Sequence, residues 1–201
     1  MKSDLHGEIR PARPEDREAL SRICLETADA GKDASALYSD CHYPGLLYVL
    51  PYAIFAPDFA FVLAMGEQVV GYVVAAPDTV AFENTLEQEW WPELRQRYAH
   101  RQPQAALDMK VLSQIRTTGR ASAELTGPWP AHLHINLLPL AQHGGWGRRL
   151  IEHQLTALRA AGVSGVHLGV SLQNEQVCAF YEKLGFRHIF RRNAIYMGQS
   201  L

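Results

Sequence analysis

The stretch Gln142-His143-Gly144-Gly145-Trp146-Gly147 lies between an apolar, strand-like run, Leu133–Leu138, and an amphipathic stretch, Arg148–Ala161. A strand that turns through glycines into a helix presents several unpaired backbone N–H groups at the positive end of the helix dipole, which suits a pyrophosphate. The spacing narrows the ligand. The loop reads Q-x-x-G-x-G, not the dinucleotide fingerprint G-x-G-x-x-G, and not G-x-x-x-x-G-K-[ST], so no lysine and hydroxyl are placed for a β,γ-phosphate and its magnesium ion. Dinucleotide-dependent, kinase and NTPase chemistries are disfavoured. A glycine-rich helix start with no ligand is the plainer alternative, and the residues downstream weigh against it.

Working outward, Glu8–Ala12 reads as a short strand, and Pro14-Glu15-Asp16 opens a helix with apolar positions Ala19, Leu20, Ile23, Cys24 and Ala28, ending near Gly31. Lys32–Ala56, aromatic and proline-interrupted, reads as loop plus short helices. Phe59–Met65 and Val69–Ala76, separated by Gly66-Glu67-Gln68, form a hairpin pattern. Pro77–Pro130 changes character, with helices around Glu83–Tyr98, interrupted at Pro92, and around Pro103–Ile115. After it come strand His132–Leu138, helix Arg148–Ala161, strand Gly165–Val170, helix Glu175–Leu184 and two short strands in Arg187–Met197. The strand–helix–strand unit implies a right-handed crossover between two parallel neighbours, and the hairpins make the whole sheet mixed.

The chain has 201 residues, 47% of them hydrophobic, enough for a full core in one domain. Nineteen basic against 21 acidic residues, with no basic run, leave no electrostatic footprint for nucleic acid. Cys24, Cys41 and Cys178 are odd in number and far apart, so they read as reduced thiols without a disulfide framework. The N-terminus lacks a signal-peptide core, and the most apolar stretch, Leu46–Phe55, is shorter than the roughly 20 residues of a membrane span. A soluble, cytoplasmic protein is expected, with no nucleic-acid or membrane partner.

The second informative segment is Asn174-Glu175-Gln176-Val177-Cys178-Ala179-Phe180-Tyr181-Glu182-Lys183-Leu184-Gly185-Phe186. With the glycine loop it resembles the GCN5-related N-acetyltransferases (GNAT), whose closing motif N-x-x-A-x-x-x-Y-x-K-x-G-F it matches except at Val177. The resemblance implies an α/β fold, an α+β mixed sheet of about six to seven strands flanked by helices, as one domain over 1–201 with a helical insertion at about 78–130. It also implies acetyl-CoA as co-substrate. The contacts it implies are Leu137, Leu138, Gln142, His143, Gly144, Gly145, Trp146, Gly147, Arg148, Asn174 and Tyr181, with the pantetheine between strands His132–Leu138 and Gly165–Val170 and Tyr181 beside the thioester sulfur.

Acetyl transfer expels a thiolate, and a phenol with a pKa near 10 can protonate or hydrogen-bond that sulfur, which makes Tyr181 the general-acid candidate. A packed aromatic between Phe180 and Phe186 is the alternative. An amine acceptor needs the converse help: a lysine-like ammonium is almost wholly protonated at neutral pH, a handicap of about 4.5 kcal/mol. His132 and His134 alternate with Leu133 and Ile135, so both imidazoles project from one face of their strand. Ala131-His132-Leu133-His134 resembles the paired strand histidines that assist proton removal in serotonin N-acetyltransferases, at an offset from the loop one residue shorter. His-x-His also suits zinc, with His167 as a conceivable third ligand, but spacing supplies no fourth and no metal is expected.

The segments Cys24–Asp33, Pro57–Leu63, Val70-Gly71-Tyr72, Asp78–Phe82 and Trp91-Pro92…Tyr98 are similar to the acetyltransferase-like (HAT) C-terminal domain of O-GlcNAcases and its free-standing bacterial relatives. No glycosidase activity is expected of this fold. The position of Asp33, Tyr38 and Asp40 implies an acceptor pocket for a cationic amine, with a solvated loop as the bland alternative. The expected function is acetyl-CoA-dependent N-acetyl transfer to a primary amine: protein lysine, amino sugar or small amine. A non-catalytic acyl-CoA-binding module is the competing reading. The acceptor's identity and the oligomeric state, including a homodimer, stay open.

Overall fold

The computed structural model describes residues 7–142 and 144–201. Seven strands form one sheet in the order β1-β2-β3-β4-β5-β7-β6: β1 Gly7–Pro11, β2 Ala60–Met65, β3 Gln68–Ala76, β4 Ala131–Leu137, β5 Gly165–Val170, β6 Arg187–Arg191 and β7 Ile195–Ser200. The pairings are antiparallel except that of β4 with β5. That parallel pairing is also the shortest. It runs only through Ala131↔Val166 and His132↔His167, and beyond His132 the two strands part. A sheet opening at its centre leaves backbone and side chains free to receive a ligand, and this opening positions the site.

Helix α1, Arg17–Leu25, follows a 3-10 turn at Pro14–Asp16, where Asp16 takes a bidentate ion pair from Arg10 and the Arg13 N–H. The helix stops at Leu25 rather than near Gly31. Thr27 turns its hydroxyl back onto the Ile23 carbonyl, and Ala30 (φ 50°) and Gly31 (φ 91°) enter left-handed backbone that a helix cannot continue through. The aromatic segment contains α2, Tyr43–Tyr48, and α3, Leu50–Phe55, each opened by a proline in its first turn. Between β3 and β4 stand α4 Thr79–Glu89, α5 Trp91–Arg97, α6 Asp108–Arg116 and α7 Ala123–Thr126. The break near Pro92 occurs where expected, with Pro92 in the first turn of α5.

A buried carboxylate is one of the ties between this helical segment and the rest. Asp108 is fully buried and accepts from Ser39 N–H and Oγ and from the Gln104 and Ala105 amides. Burial by itself would raise its pKa, but the four donors outweigh it and hold the carboxyl below the usual range. Phe82, Leu86, Trp91, Leu94, Val111, Leu112 and Ile115 join the same hydrophobic core as β2, β3 and α8, Trp146–Ala160.

Alternation along β4 sorts its side chains. Asn136 meets Thr27 after α1 and His134 meets Tyr52 of α3, whereas Leu137 lies against Gly147 of α8. Two faces of the sheet are therefore covered by different helices. α8 buries Leu150, Ile151, Leu155 and Leu158, each contributing about 1.5–3 kcal/mol. One residue breaks the pattern: Gln154 is fully buried with both side-chain amide atoms unpartnered. Such a group costs about 1–3 kcal/mol, so Gln154→Met, which preserves volume, is expected to raise the midpoint of thermal unfolding by several degrees. A lower midpoint in calorimetry would mean that the amide is hydrogen-bonded after all.

Candidate functional site

The glycine loop begins where β4 ends. Leu138 N–H bonds the Val70 carbonyl of β3, a 3-10 turn spans Pro139–Ala141, and the Gln142 side chain donates to the Leu137 carbonyl at 3.0 Å. The glutamine is thus a strap that holds the loop against the end of the strand. Gly145 caps α8 at φ 73°, a left-handed value that a β-carbon would strain. A side chain on Gly144 would collide with the Trp146 indole at 2.8 Å. Arg149 N–H bonds Gly145 O, and among the described residues no backbone carbonyl preceding α8 accepts from the amides of Trp146, Gly147 or Arg148. They carry the positive end of a 15-residue helix.

Beside these amides, the parting strands open a cleft of about 570 Å³. Ile135, Asn136, Leu137, Gln142 and Gly147 line one side, Asn174, Gln176, Val177, Phe180 and Tyr181 the other, and the Thr27–Gly31 turn closes an end. A β-carbon on Gly147 would sit 3.4 Å from Phe180 and 3.7 Å from Leu137, narrowing the cleft. Asn174 leaves helical geometry (φ −126°, ψ 34°) within a 3-10 segment, Leu172–Val177, so the expected helix Glu175–Leu184 is 3-10 up to Val177 and becomes α9, Cys178–Glu182, only beyond it. Tyr181 packs edge-on against Phe180 and Phe186, and burial drives its phenol pKa well up, so it stays protonated as a hydrogen-bond donor.

Of the residues singled out for acetyl-CoA, Leu137, Gln142, Gly147, Asn174 and Tyr181 border this cleft. Leu138 is buried beneath it, and the Trp146 ring turns away to cover Gly7 and stack under Arg149. The Arg148 side chain pairs with Glu152 at 2.7 Å outside the cleft, leaving only its amide there. His143 lies outside the described residues. Thr27 and Asn136 were missed; nothing in their local sequence marks them, because the cleft gathers them from separate elements.

The two strand histidines share one partner. Tyr52 Oη contacts His132 Nε2 and, at 3.1 Å, His134 Nε2, while His132 Nδ1 meets Thr79 Oγ1 at 2.8 Å. Burial, then the proximity of His167, pulls the His134 pKa down to about 4; burial followed by the neighbouring histidines holds His132 well below its ordinary value. Both rings are neutral at pH 7. With both His132 nitrogens engaged by hydroxyls, and His167 Nδ1 held at 2.7 Å by the Trp129 carbonyl, the three histidines are arranged for hydrogen bonding rather than zinc. Another trio, Asp40, Cys41 and His42, gathers within 4.8 Å on a surface turn, where His42 already bonds Asp40.

The acceptor-side residues are placed differently from one another. Asp33 is exposed and accepts from Ser35 N–H and Oγ, and Asp40 accepts from the His42 amide at 2.9 Å and Tyr98 Oη at 3.4 Å. Tyr38 is half-buried against the core. None of the three borders the cleft. Cys178 is buried and its thiol pKa is raised by burial, an environment that disfavours the thiolate.

A mixed sheet parted at its one parallel pair, with a helix N-terminus at the mouth and a half-buried tyrosine across from it, is the architecture of an acetyltransferase. The chain belongs to the acetyltransferase (GNAT) family, whose model matches residues 32–186. It is similar to the protein O-GlcNAcases of Rattus norvegicus and Mus musculus, 22% identical over 96% of this chain, and it spans 22% of the length of those relatives. The crystal structure of SsHAT superposes with a TM-score of 0.85 at 36% identity, covering 96% of this chain and 98% of that one. At the level of fold, a GNAT acetyltransferase from Brucella melitensis solved with acetyl-CoA gives a TM-score of 0.52 at 17% identity, over 98% of this chain and 89% of that one. No helix among the described residues is long and apolar enough to cross a membrane.

Proposed function

We propose that this acetyltransferase binds acetyl-CoA in the β4/β5 cleft and passes the acetyl group directly to a primary amine. The observation that carries the reading is the continuity of the cleft from the α8 amides, through Asn136 and Gly147, to Tyr181. The amides of Trp146, Gly147 and Arg148 hold the pyrophosphate, and Tyr181 hydrogen-bonds the departing sulfur. His134, two residues past the end of β4–β5 pairing and next to Ile135 of the cleft wall, accepts the amine proton. The solved relatives with acetyl-CoA and with coenzyme A support the choice of co-substrate. The acceptor is a protein lysine, an amino sugar or a small amine reached from the α1–α3 face. Asp33, Tyr38 and Asp40 are the acceptor contacts offered by the sequence resemblance, and all three stand outside the cleft lining.

Isothermal calorimetry with acetyl-CoA and thiol release with a panel of amines and lysine peptides test the reading. Micromolar binding together with acceptor-dependent thiol release is expected. Tight binding with no turnover on any acceptor would favour an acyl-CoA-binding module, and absence of binding would sink the site assignment.

A further inference from the structure

Asn136 borders the acetyl cleft half-buried, and the orientation of its amide follows from counting protons. Thr27 Oγ1 lies 2.7 Å from the Ile23 carbonyl, which carries no hydrogen, so the single Thr27 hydroxyl proton is donated there. Toward Asn136 the Thr27 oxygen can then only accept, which puts the amide nitrogen, Nδ2, on the Thr27 side. Oδ1 faces the other way and accepts at 2.9 Å from the phenol of Tyr72. Tyr72 is fully buried, and burial holds its pKa well above the ordinary value, so it stays a donor. The amide is thus gripped at both ends, by β3 and by the turn after α1. Nδ2 carries a second N–H, and among the described residues no protein acceptor takes it.

We propose that this second N–H of Asn136 donates to the thioester carbonyl oxygen of bound acetyl-CoA and stabilises the negative charge that develops on it during transfer. The inference rests on the transferase reading above, in which the α8 amides take the pyrophosphate and Tyr181 the sulfur, leaving the carbonyl oxygen without a side-chain donor. As the neutral amine bonds to the carbonyl carbon, the π pair of the C=O moves onto oxygen. When the C=O re-forms, the C–S bond breaks and its pair leaves on sulfur. The nitrogen sheds one proton and the thiolate takes one up, so the products are an amide and a thiol. Charge on the oxygen is greatest between the two events, and a donor already fixed in place costs no reorganisation at that moment. Tyr72 and Thr27 supply the fixing. Position supports the assignment: Asn136 meets Thr27 and His134 meets Tyr52 from the same face of β4. Two residues along a strand span about 7 Å, which leaves room for the amine nitrogen beside His134 and the carbonyl oxygen beside Asn136.

Asn136→Asp keeps the shape of the side chain, still accepts from Tyr72, and removes both N–H groups. It is expected to lower kcat by about 10²-fold or more, the usual cost of losing one such donor, with the Kd for acetyl-CoA within about threefold, because the contact tightens as charge develops. Thr27→Val, which frees the amide to turn, is expected to lower kcat by about tenfold at the same Kd. Circular dichroism checks that both variants fold. Difference infrared spectra of acetyl-CoA carrying a 13C carbonyl, bound without acceptor, read the contact directly: the thioester C=O stretch should lie at lower frequency in the parent than in Asn136→Asp. An unchanged kcat in folded Asn136→Asp, or the same carbonyl stretch in both proteins, would overturn the proposal. So would a loss confined to Kd, which would place the amide on the pantetheine. A parent that binds no acetyl-CoA, or releases no thiol with any amine, would overturn the transferase reading itself and the donor with it.

Discussion

His134→Gln is expected to lose between about 10²- and 10⁴-fold in kcat, the usual contribution of a positioned general base, while acetyl-CoA affinity changes by less than threefold. Glutamine keeps an N–H for Tyr52 but offers no ring lone pair to the amine, so the loss isolates proton removal from packing. Steady-state kinetics beside calorimetry make the separation. The parent should also show where His134 titrates. Its neighbours are Tyr48 and Tyr52 from the helices, His132 on its own strand and His167 on β5, and burial among them puts its pKa at about 4. Because a lowered histidine pKa means the neutral base persists to lower pH, the acid limb that belongs to this group falls near pH 4, not near 6.5. A His134→Gln enzyme with parental kcat would remove the histidine from the chemistry.

Gly147→Asp is the second large effect, and it acts on binding. The side chain would enter the cleft against Phe180 and Leu137 and set a carboxylate among the amides that are to hold a pyrophosphate. Like charges about 4 Å apart repel by about 4 kcal/mol at an effective dielectric near 20, so the Kd for acetyl-CoA should rise by about 100-fold or more. The same aspartate sits in the first turn of α8, where a negative charge favours the helix, so folding should be kept. Circular dichroism confirms the fold and calorimetry reads the affinity. A folded Gly147→Asp protein that binds acetyl-CoA as tightly as the parent would show that the pyrophosphate lies elsewhere.

Much of the architecture was legible because it depends on local pattern. The hairpin β2–β3 follows from β-branched runs about Gly66, β5 has the bounds its apolar run suggested, and the break near Pro92 falls where a ring without an N–H must start a new helix. Two helix bounds differ from the pattern. Helical periodicity carries α1 to Gly31 and starts the last helix at Glu175, but in the folded chain Thr27, Ala30 and Gly31 turn away from the helix to border the cleft, and Glu175–Val177 belongs to a 3-10 segment that gives way to α9 only at Cys178. Local propensity gives way where tertiary contacts claim the backbone.

The paired histidines show the same division. Their two-residue spacing on a strand was enough to place both on one face. It could not show that Tyr52, eighty residues before His132, would stand between them, or that Thr79 would meet the other nitrogen of His132. Likewise the carboxylates of Asp33 and Asp40 suggested a cationic pocket, yet each is engaged by the turn it sits in.

The sequence by itself determined the strand–loop–helix that presents free amides and the tyrosine helix that faces it, because both are encoded in contiguous residues with short-range geometry. Only the tertiary structure decided how far β4 and β5 remain paired, which loop residues close the cleft between them, and which hydroxyls govern the histidines. Those depend on contacts between segments far apart in the chain, where packing and the obligation to satisfy buried polar groups select one arrangement that no local pattern records.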